Sequence, residues 1–296
     1  MSKVKIIAEV GSNYDGSLDE AKAYIIEASK CGCDAIKFQT LRKDKLIAPC
    51  HPAYNNFCNL ELPDKWHYPL KLVADEYGIE FMSTPFYLEA VDLLESVGVK
   101  TYKIASGDIT FTPLLEKVAQ THKPVLLSTG ASSLRDIEQA LNTLHKYGTS
   151  DITLLHAVSN YPPQWHENNL YALKIMSHYF DLPVGISDHS PSPIIPIMAV
   201  ALGATVIEKH ITFSRSSIGP DHFFATTIDE LRDMVRQVRI AETALGTGSK
   251  LPCESEKLQQ HNIRRGIYNT ALEPATKDNW AEIHTWLRPE HGGKYC

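Results

Sequence analysis

No stretch of this chain approaches the roughly 18 consecutive apolar residues that a membrane-crossing helix needs. Its opening, "MSKVKIIAEVG", lacks the apolar core and small-residue cleavage site of a secretory signal. Positive charge is scarce: 29 Lys and Arg face 35 Asp and Glu, a net −6, which argues against a nucleic-acid partner. The six cysteines include no Cys-x-x-Cys pair, which speaks against a structural zinc site. Cys50, His51 and Cys58 come nearest to a ligand cluster, but their Pro/Asn-rich loop offers no fourth donor. The cysteines are therefore read as free thiols of a cytoplasmic protein. Nor is there a Gly-x-Gly-x-x-Gly loop, because Gly11 and Gly16 of "EVGSNYDGS" are wrongly spaced for it. What remains is a globular chain of 296 residues, 43% hydrophobic and 22% charged. That length fits two average domains or one large α/β barrel.

Short apolar runs rich in Val and Ile recur at regular intervals: "KIIAE", "AIKFQ", "EFMS", "TYKIAS", "PVLLST", "ITLLHA", "PVGISD" and "TVIEKH". Helical patterns such as "SLDEAKAYIIEASKCG" and "SSLRDIEQALNTLHKYG" lie between them, several ending at Gly. Near-continuous apolar strands imply a parallel sheet covered by helices on both faces. Eight strand–helix units predict a closed (β/α)8 TIM barrel rather than an open doubly wound sheet.

A barrel of this kind gathers its chemistry just after each strand. Glu9 and Asn13 follow the first, then Lys37 and Gln39, Ser83 and Thr84, and Lys103, Ser106 and Asp108. Ser128 and Thr129 come next, then His156, Ser159 and Tyr161, then Ser187, Asp188 and His189, and last Glu208, Lys209 and His210. Strand ends turn polar in any barrel, so a lone Ser or Thr is unremarkable. Lys37 and Lys103 are harder to dismiss, because an ammonium inside an apolar strand is costly unless it is paired or offered an anion. If they await an anion, replacing either with Met should leave stability equal or higher. His189 and His210 end neighbouring strands and could share a divalent metal, with zinc, manganese and iron indistinguishable by spacing. Two lysines and a ring of hydroxyls suit a phosphorylated substrate. With metal and carboxylates, this set fits carbon–carbon chemistry on a phosphorylated compound or metal-assisted phosphate-ester hydrolysis.

Eight motifs occur in order between about Lys5 and Lys250: "IIAEVGSNYDGS", "DAIKFQT", "MSTPF", "YKIASGD", "LLSTG", "VGISDH", "ATVIEKHIT" and "GPDH". Together they resemble the sialic acid synthase family, the bacterial N-acetylneuraminate synthases and their legionaminic, pseudaminic and spore-coat-type relatives. The resemblance implies a TIM barrel that condenses phosphoenolpyruvate with an N-acetylated aminosugar aldehyde. It also implies a divalent metal, typically manganese, with magnesium or cobalt as alternatives, and a homodimer. By motif, His189 and His210 would hold the metal. Lys37, Lys103, Thr84, Ser106, Ser128, Ser159 and Ser187 would hold phosphoenolpyruvate. Glu9, Gln39, Asn13, Tyr161 and Asp221 would meet the sugar, and Asp108 would assist the attacking water.

Tyr14 stands where that family commonly has His, and Asp108 where several relatives have Glu. Residues 1–250 are expected to form the barrel and 251–261 a linker. Residues 262–296 resemble only the start of the family's antifreeze-like domain, with Arg264 and Arg265 as candidates for its sugar-contacting Arg. On that basis weak sugar binding and low turnover are expected. Two alternatives remain open: a non-catalytic barrel that binds phosphoenolpyruvate or sugar, and a related keto-sugar-acid synthase using a phosphorylated sugar.

Overall fold

The computed structural model describes residues 3–52, 54–57, 60–269, 271–274 and 283–290. The chain divides into two compact units, Met1–Leu245 and Gly246–Cys296.

In the first unit strands alternate with helices: β1 (Lys5–Gly11), α1 (Leu18–Lys30), β2 (Ala35–Thr40), α2 (His67–Glu76), β3 (Glu80–Pro85), α3 (Leu88–Val97), β4 (Tyr102–Ile104) and α4 (Thr112–Ala119). They continue with β5 (Val125–Ser128), α5 (Leu134–Lys146), β6 (Ile152–Ala157), α6 (Ala172–Phe180), β7 (Val184–Asp188), α7 (Ile194–Ala201), β8 (Val206–Thr212) and α8 (Ile228–Leu245). The eight strands are parallel and follow the order β3-β2-β1-β8-β7-β6-β5-β4. β3 and β4 pack side by side without a ladder, so the barrel is nearly closed. The barrel expectation holds, and every apolar run singled out above supplies a strand. β4 is shorter than its run "TYKIAS", because Ser106–Asp108 leave the sheet as a 3-10 turn.

The helices start and face inward for local reasons. Ser17 caps α1 by accepting from the Glu20 N–H at 3.2 Å, and Asp19 and Glu20 complement the helix dipole. A reciprocal box between Ser133 and Asp136 opens α5. That helix then buries Ile137, Ala140, Leu141 and Leu144, a one-faced stripe at helical spacing. Side chains of this kind fill the layer between sheet and helices. Among the described residues no helix is long and apolar enough to cross a membrane.

In the second unit, helix Glu254–Ile263 precedes an antiparallel pair, Gly266–Asn269 with Ile283–Leu287. The helix occupies most of the stretch expected as a linker. It buries no residue, so it leaves no apolar period in the sequence, while its capping contact from the Cys253 N–H to the Glu256 carboxylate is local. Arg265 donates to the Trp286 carbonyl at 2.8 Å and Arg264 lies 3.9 Å from Glu290, both within this unit. Cys31, Cys33, Cys50 and Cys253 are free thiols, whereas Cys58 and Cys296 lie outside the described residues.

Candidate active site

Inward-facing residues on the strands repeat every second position. The deeper tier is apolar, formed by Ile7, Ala35, Met82, Leu126, Leu155 and Val206. Two residues further along the same faces stand Glu9, Lys37, Thr84, Ser128 and Glu208, joined by Lys103 of β4 and Ser187 of β7. They line a cavity of about 220 Å³. An apolar floor therefore carries a charged tier, open toward the C-terminal ends of the strands.

The charged tier is a buried network. Lys37 Nζ lies 2.7 Å from Glu9 Oε2 and 3.6 Å from Glu208 Oε2, and donates to Thr84 Oγ1 at 2.9 Å. Lys103 Nζ lies 3.4 Å from Glu208 Oε1, which also accepts from Ser187 Oγ at 2.8 Å. Burial raises the Glu9 carboxyl to about 7, with Lys37 offsetting only part of the shift. Burial acts the same way on Glu208, but Lys103 and Lys37 outweigh it and hold that carboxyl near 2. Burial also works against the charge of Lys37, and Glu208 and Glu9 more than restore it. Glu208 is thus the fixed anion of the tier, and Glu9 a weak acid able to exchange a proton.

Around the lysines the small hydroxyls converge. Ser106 Oγ accepts from the Gly130 N–H at 2.9 Å. A Cβ on Gly130 would sit 2.4 Å from Ser159 Oγ and 2.8 Å from Ser106 Oγ, so only glycine lets both approach.

A charged residue is followed by a histidine at the end of β7 (Asp188, His189) and near the C-terminal end of β8 (Lys209, His210), and the pleat separates the two roles. Asp188 and Lys209 are register partners pointing out of the barrel, where they form a buried ion pair supported by Ser190. His189 and His210 point inward, with ring centroids 5.4 Å apart. His189 Nδ1 donates to the Val158 carbonyl at 2.8 Å, which leaves Nε2 with its lone pair. Burial lowers the pKa of His189, and that of His210 further, so both rings are neutral and able to ligate. His210 Nδ1 is buried without a hydrogen-bond partner, 3.6 Å from Asp221 Oδ2. An orphan nitrogen beside a second free imidazole fits a divalent cation. Among the described residues no group of three His, Cys, Asp or Glu is arranged to hold one, so further ligands would have to be water or substrate.

The outward pair predicts a stability effect separate from the site. Asp188→Asn or Lys209→Met should each cost about 3–5 kcal/mol, since each strands one buried partner. The double variant should recover much of that loss. Denaturant titration of the three variants checks it, and single losses below about 1 kcal/mol would contradict it.

All but three of the site residues expected from the sequence line the cavity. Asn13 is fully buried and not among the lining residues; its Nδ2 donates to the Ile211 carbonyl at 3.0 Å, tying the loop after β1 to β8, and its Oδ1 has no hydrogen-bond partner. Asp108 lies next to the lining residues Ser106 and Gly107, close enough for Lys103 to attract it, but is not itself in the wall. Its carboxyl is pushed up to about 6 by burial. Asp221 stands over Gly11, whose backbone φ of +58° and missing side chain leave room: a Cβ there would meet Asp221 Oδ2 at 3.3 Å, and Gln39 Nε2 and Glu9 Oε1 at 3.5 Å. Tyr161 lies against His189 with centroids 4.2 Å apart. The sequence reading placed Glu208 at the end of the eighth strand without a role in the site, and did not name Phe224. Glu208 sits two residues before His210 on the same face, a signal that strand period two could have supplied. Phe224, 5.2 Å from His210 by centroids, comes from a loop without periodicity.

A model of the NeuB family matches residues 24–250. An N,N'-diacetyllegionaminic acid synthase of Legionella pneumophila is 40% identical over 280 residues, covering 88% of this chain and 79% of that protein. A human N-acetylneuraminate-9-phosphate synthase is 35% identical over 272 residues, covering 86% of this chain and 76% of that protein. The crystal structure of an N-acetylneuraminic acid synthetase from Leptospira borgpetersenii superposes with a TM-score of 0.83 at 36% identity, covering 88% of this chain and 90% of that one.

Proposed function

The chain belongs to the NeuB family, and from that premise we propose that it condenses phosphoenolpyruvate with an N-acetylated aminosugar aldehyde, giving a sialic-type keto acid and phosphate. The observation that carries this reading is one cavity holding two buried lysines, a ring of hydroxyl donors and two neutral imidazoles. Lys37 and Lys103 meet the phosphate and carboxylate of phosphoenolpyruvate, and Thr84, Ser106, Ser128, Ser159 and Ser187 supply neutral donors. This positions the alkene carbon for attack on the aldehyde. Gln39, Tyr161 and Asp221 orient the sugar, and Glu9, with its raised pKa, can take or return a proton at a sugar hydroxyl.

His189 and His210 would hold a divalent metal, manganese in the first instance. Such an ion supplies Lewis-acid polarisation of the aldehyde oxygen. Asp108 assists the water that adds at C2 before phosphate departs with its bridging oxygen. Phosphate release measured with the metal, phosphoenolpyruvate and a panel of N-acetylated hexosamines tests the reading. Release should need all three components and stop on chelation. Binding of both substrates without release would mark a non-catalytic barrel instead.

The raised carboxyl of Asp108 gives this step a pH signature. Asp108 can accept a proton from water only when ionised, so kcat/KM should rise with pH through a limb near 6 and level off above it. Asp108→Asn should lose roughly 10²–10⁴ of the plateau rate and flatten that limb. An unchanged profile in the variant would remove Asp108 from the step.

A further inference from the structure

The motif "GPDH" sends only Asp221 over the cavity, and its last residue, His222, has no part in the chemistry above. Yet His222 is 1% exposed, and an imidazole is not buried so completely unless its polar atoms are satisfied.

Both ring nitrogens are engaged, each by a different part of the chain. Nε2 donates to Asp15 Oδ1 at 2.9 Å, in the loop after β1. Nδ1 lies 2.7 Å from Thr212 Oγ1, at the end of β8. Thr212 is fully buried, and its oxygen also accepts from the Ser214 N–H at 3.0 Å, where the loop after β8 begins. Further along that loop, Gly219 passes so close that a Cβ there would meet the ring at 2.7 Å. The far end of the loop is tied back by Arg215, which donates to the Ala225 carbonyl at 2.9 Å. One imidazole thus joins two loops whose contacting residues are 207 positions apart.

The partner on the first loop is itself unusual. Asp15 holds a left-handed backbone, φ +50°, which a residue with a side chain keeps only where its surroundings fix it.

The loop after β8 carries site residues close to His222. Asp221 precedes it, and Phe224, two residues on, packs its ring against His210. Asp221 Oδ2 stands 3.6 Å from His210 Nδ1, too far for a hydrogen bond to hold it there. Its place is set by the chain on which it sits, and the nearest anchor of that chain is His222.

We propose that His222 is a positioning residue: by bridging Asp15 and Thr212 it fixes the loop after β8, and with it the carboxylate of Asp221 beside His210. The proposal rests on the reading of Asp221 as a contact of the sugar. It is tested in the full chain with Asp15→Gly, His222→Leu and Asp15→Asn. Glycine accepts the left-handed backbone and removes the carboxylate, leucine fills the space of the ring without polar atoms, and asparagine keeps an oxygen for Nε2. Hydrogen exchange is read across residues 213–225, opposite Asp15, so that the effect of glycine on its own loop is not counted. KM values are measured for phosphoenolpyruvate and for the panel hexosamine with which the parent releases phosphate fastest.

Asp15→Gly and His222→Leu should speed exchange in 213–225 by at least about tenfold. Each should raise the sugar KM by a similar factor and leave the KM for phosphoenolpyruvate within about twofold. Asp15→Asn should stay near the parent in both readouts. Combining Asp15→Gly with His222→Leu should add nothing, because both break the same bridge. Unchanged exchange overturns the bridge, and faster exchange with an unchanged sugar KM overturns the positioning of Asp221. Both KM values rising together, or asparagine as damaging as glycine, would mark a general disturbance and overturn it too. Were His222→Leu not to fold, Asp15→Gly decides, since that side chain is 37% exposed. A parent that releases phosphate with no sugar would strike down the condensation reading, and exchange in the loop would still decide the bridge.

Discussion

Lys37→Met should lower kcat/KM for phosphoenolpyruvate by roughly a thousandfold, since about 4 kcal/mol of transition-state binding corresponds to that factor. A lost charge-assisted bond accounts for about 1.5–3 kcal/mol, and the anions left facing each other account for the rest. The same variant should also be less stable, the reverse of what the sequence suggests. Read alone, "AIKFQT" shows a lysine without a partner, so its removal looks harmless. In the folded barrel Lys37 lies between Glu9 and Glu208, and methionine leaves two carboxylates to share Lys103.

The pH dependence follows from Glu9. Its folded pKa is already raised to about 7 by burial, against about 4.3 in an unfolded chain, and loss of Lys37 raises it further. A raised carboxyl pKa means that the folded state keeps its proton longer. The variant's deficit should therefore be small near pH 4 and grow as pH rises through 7. Urea titrations at pH 4.5 and pH 8 measure it; a stability equal to the parent at both would show that the ion pairs contribute nothing.

The second large effect belongs to the histidines. His210→Ala should abolish phosphate release, by at least about a thousandfold, because the polarised aldehyde is needed only in the transition state. Manganese affinity should fall by more than the 10–100-fold typical of residues that merely support a ligand. His156 provides the control, being another strand-end histidine in the barrel. It lies off the cavity and its Nε2 is taken by the Asn168 carbonyl at 2.7 Å, so His156→Gln should keep manganese affinity within about twofold. Equal losses at both positions would point to a general disturbance of the barrel rather than to a metal site.

Much of this was legible in the sequence, for identifiable reasons. The parallel barrel shows as apolar runs at regular spacing, because a strand buried on both faces must be apolar almost throughout. The two lysines and two histidines stand out because each interrupts or ends such a run. What stayed hidden depends on three-dimensional partners. Glu208 looked like one more polar strand end until Lys37 and Lys103 were seen on either side of it. Asn13 follows β1, which suggests a substrate ligand; its amide nitrogen bonds the Ile211 carbonyl, while its Oδ1 is buried without a hydrogen-bond partner. Asp188 and Lys209 sat beside the histidines in sequence, yet strand alternation puts them on the far side of the sheet. Helix Glu254–Ile263 buries no face and so left no apolar period to read.

The most direct test of the central claim uses phosphoenolpyruvate labelled with ¹⁸O at its bridging oxygen, incubated with manganese, the full chain and an unphosphorylated N-acetylated hexosamine. Carbon–oxygen cleavage at a condensing site should deliver the label to inorganic phosphate, with one keto acid formed per phosphate and no release when the sugar is omitted. Unlabelled phosphate, or release that proceeds equally without the sugar, would make the chain a phosphatase-like hydrolase and contradict the condensation.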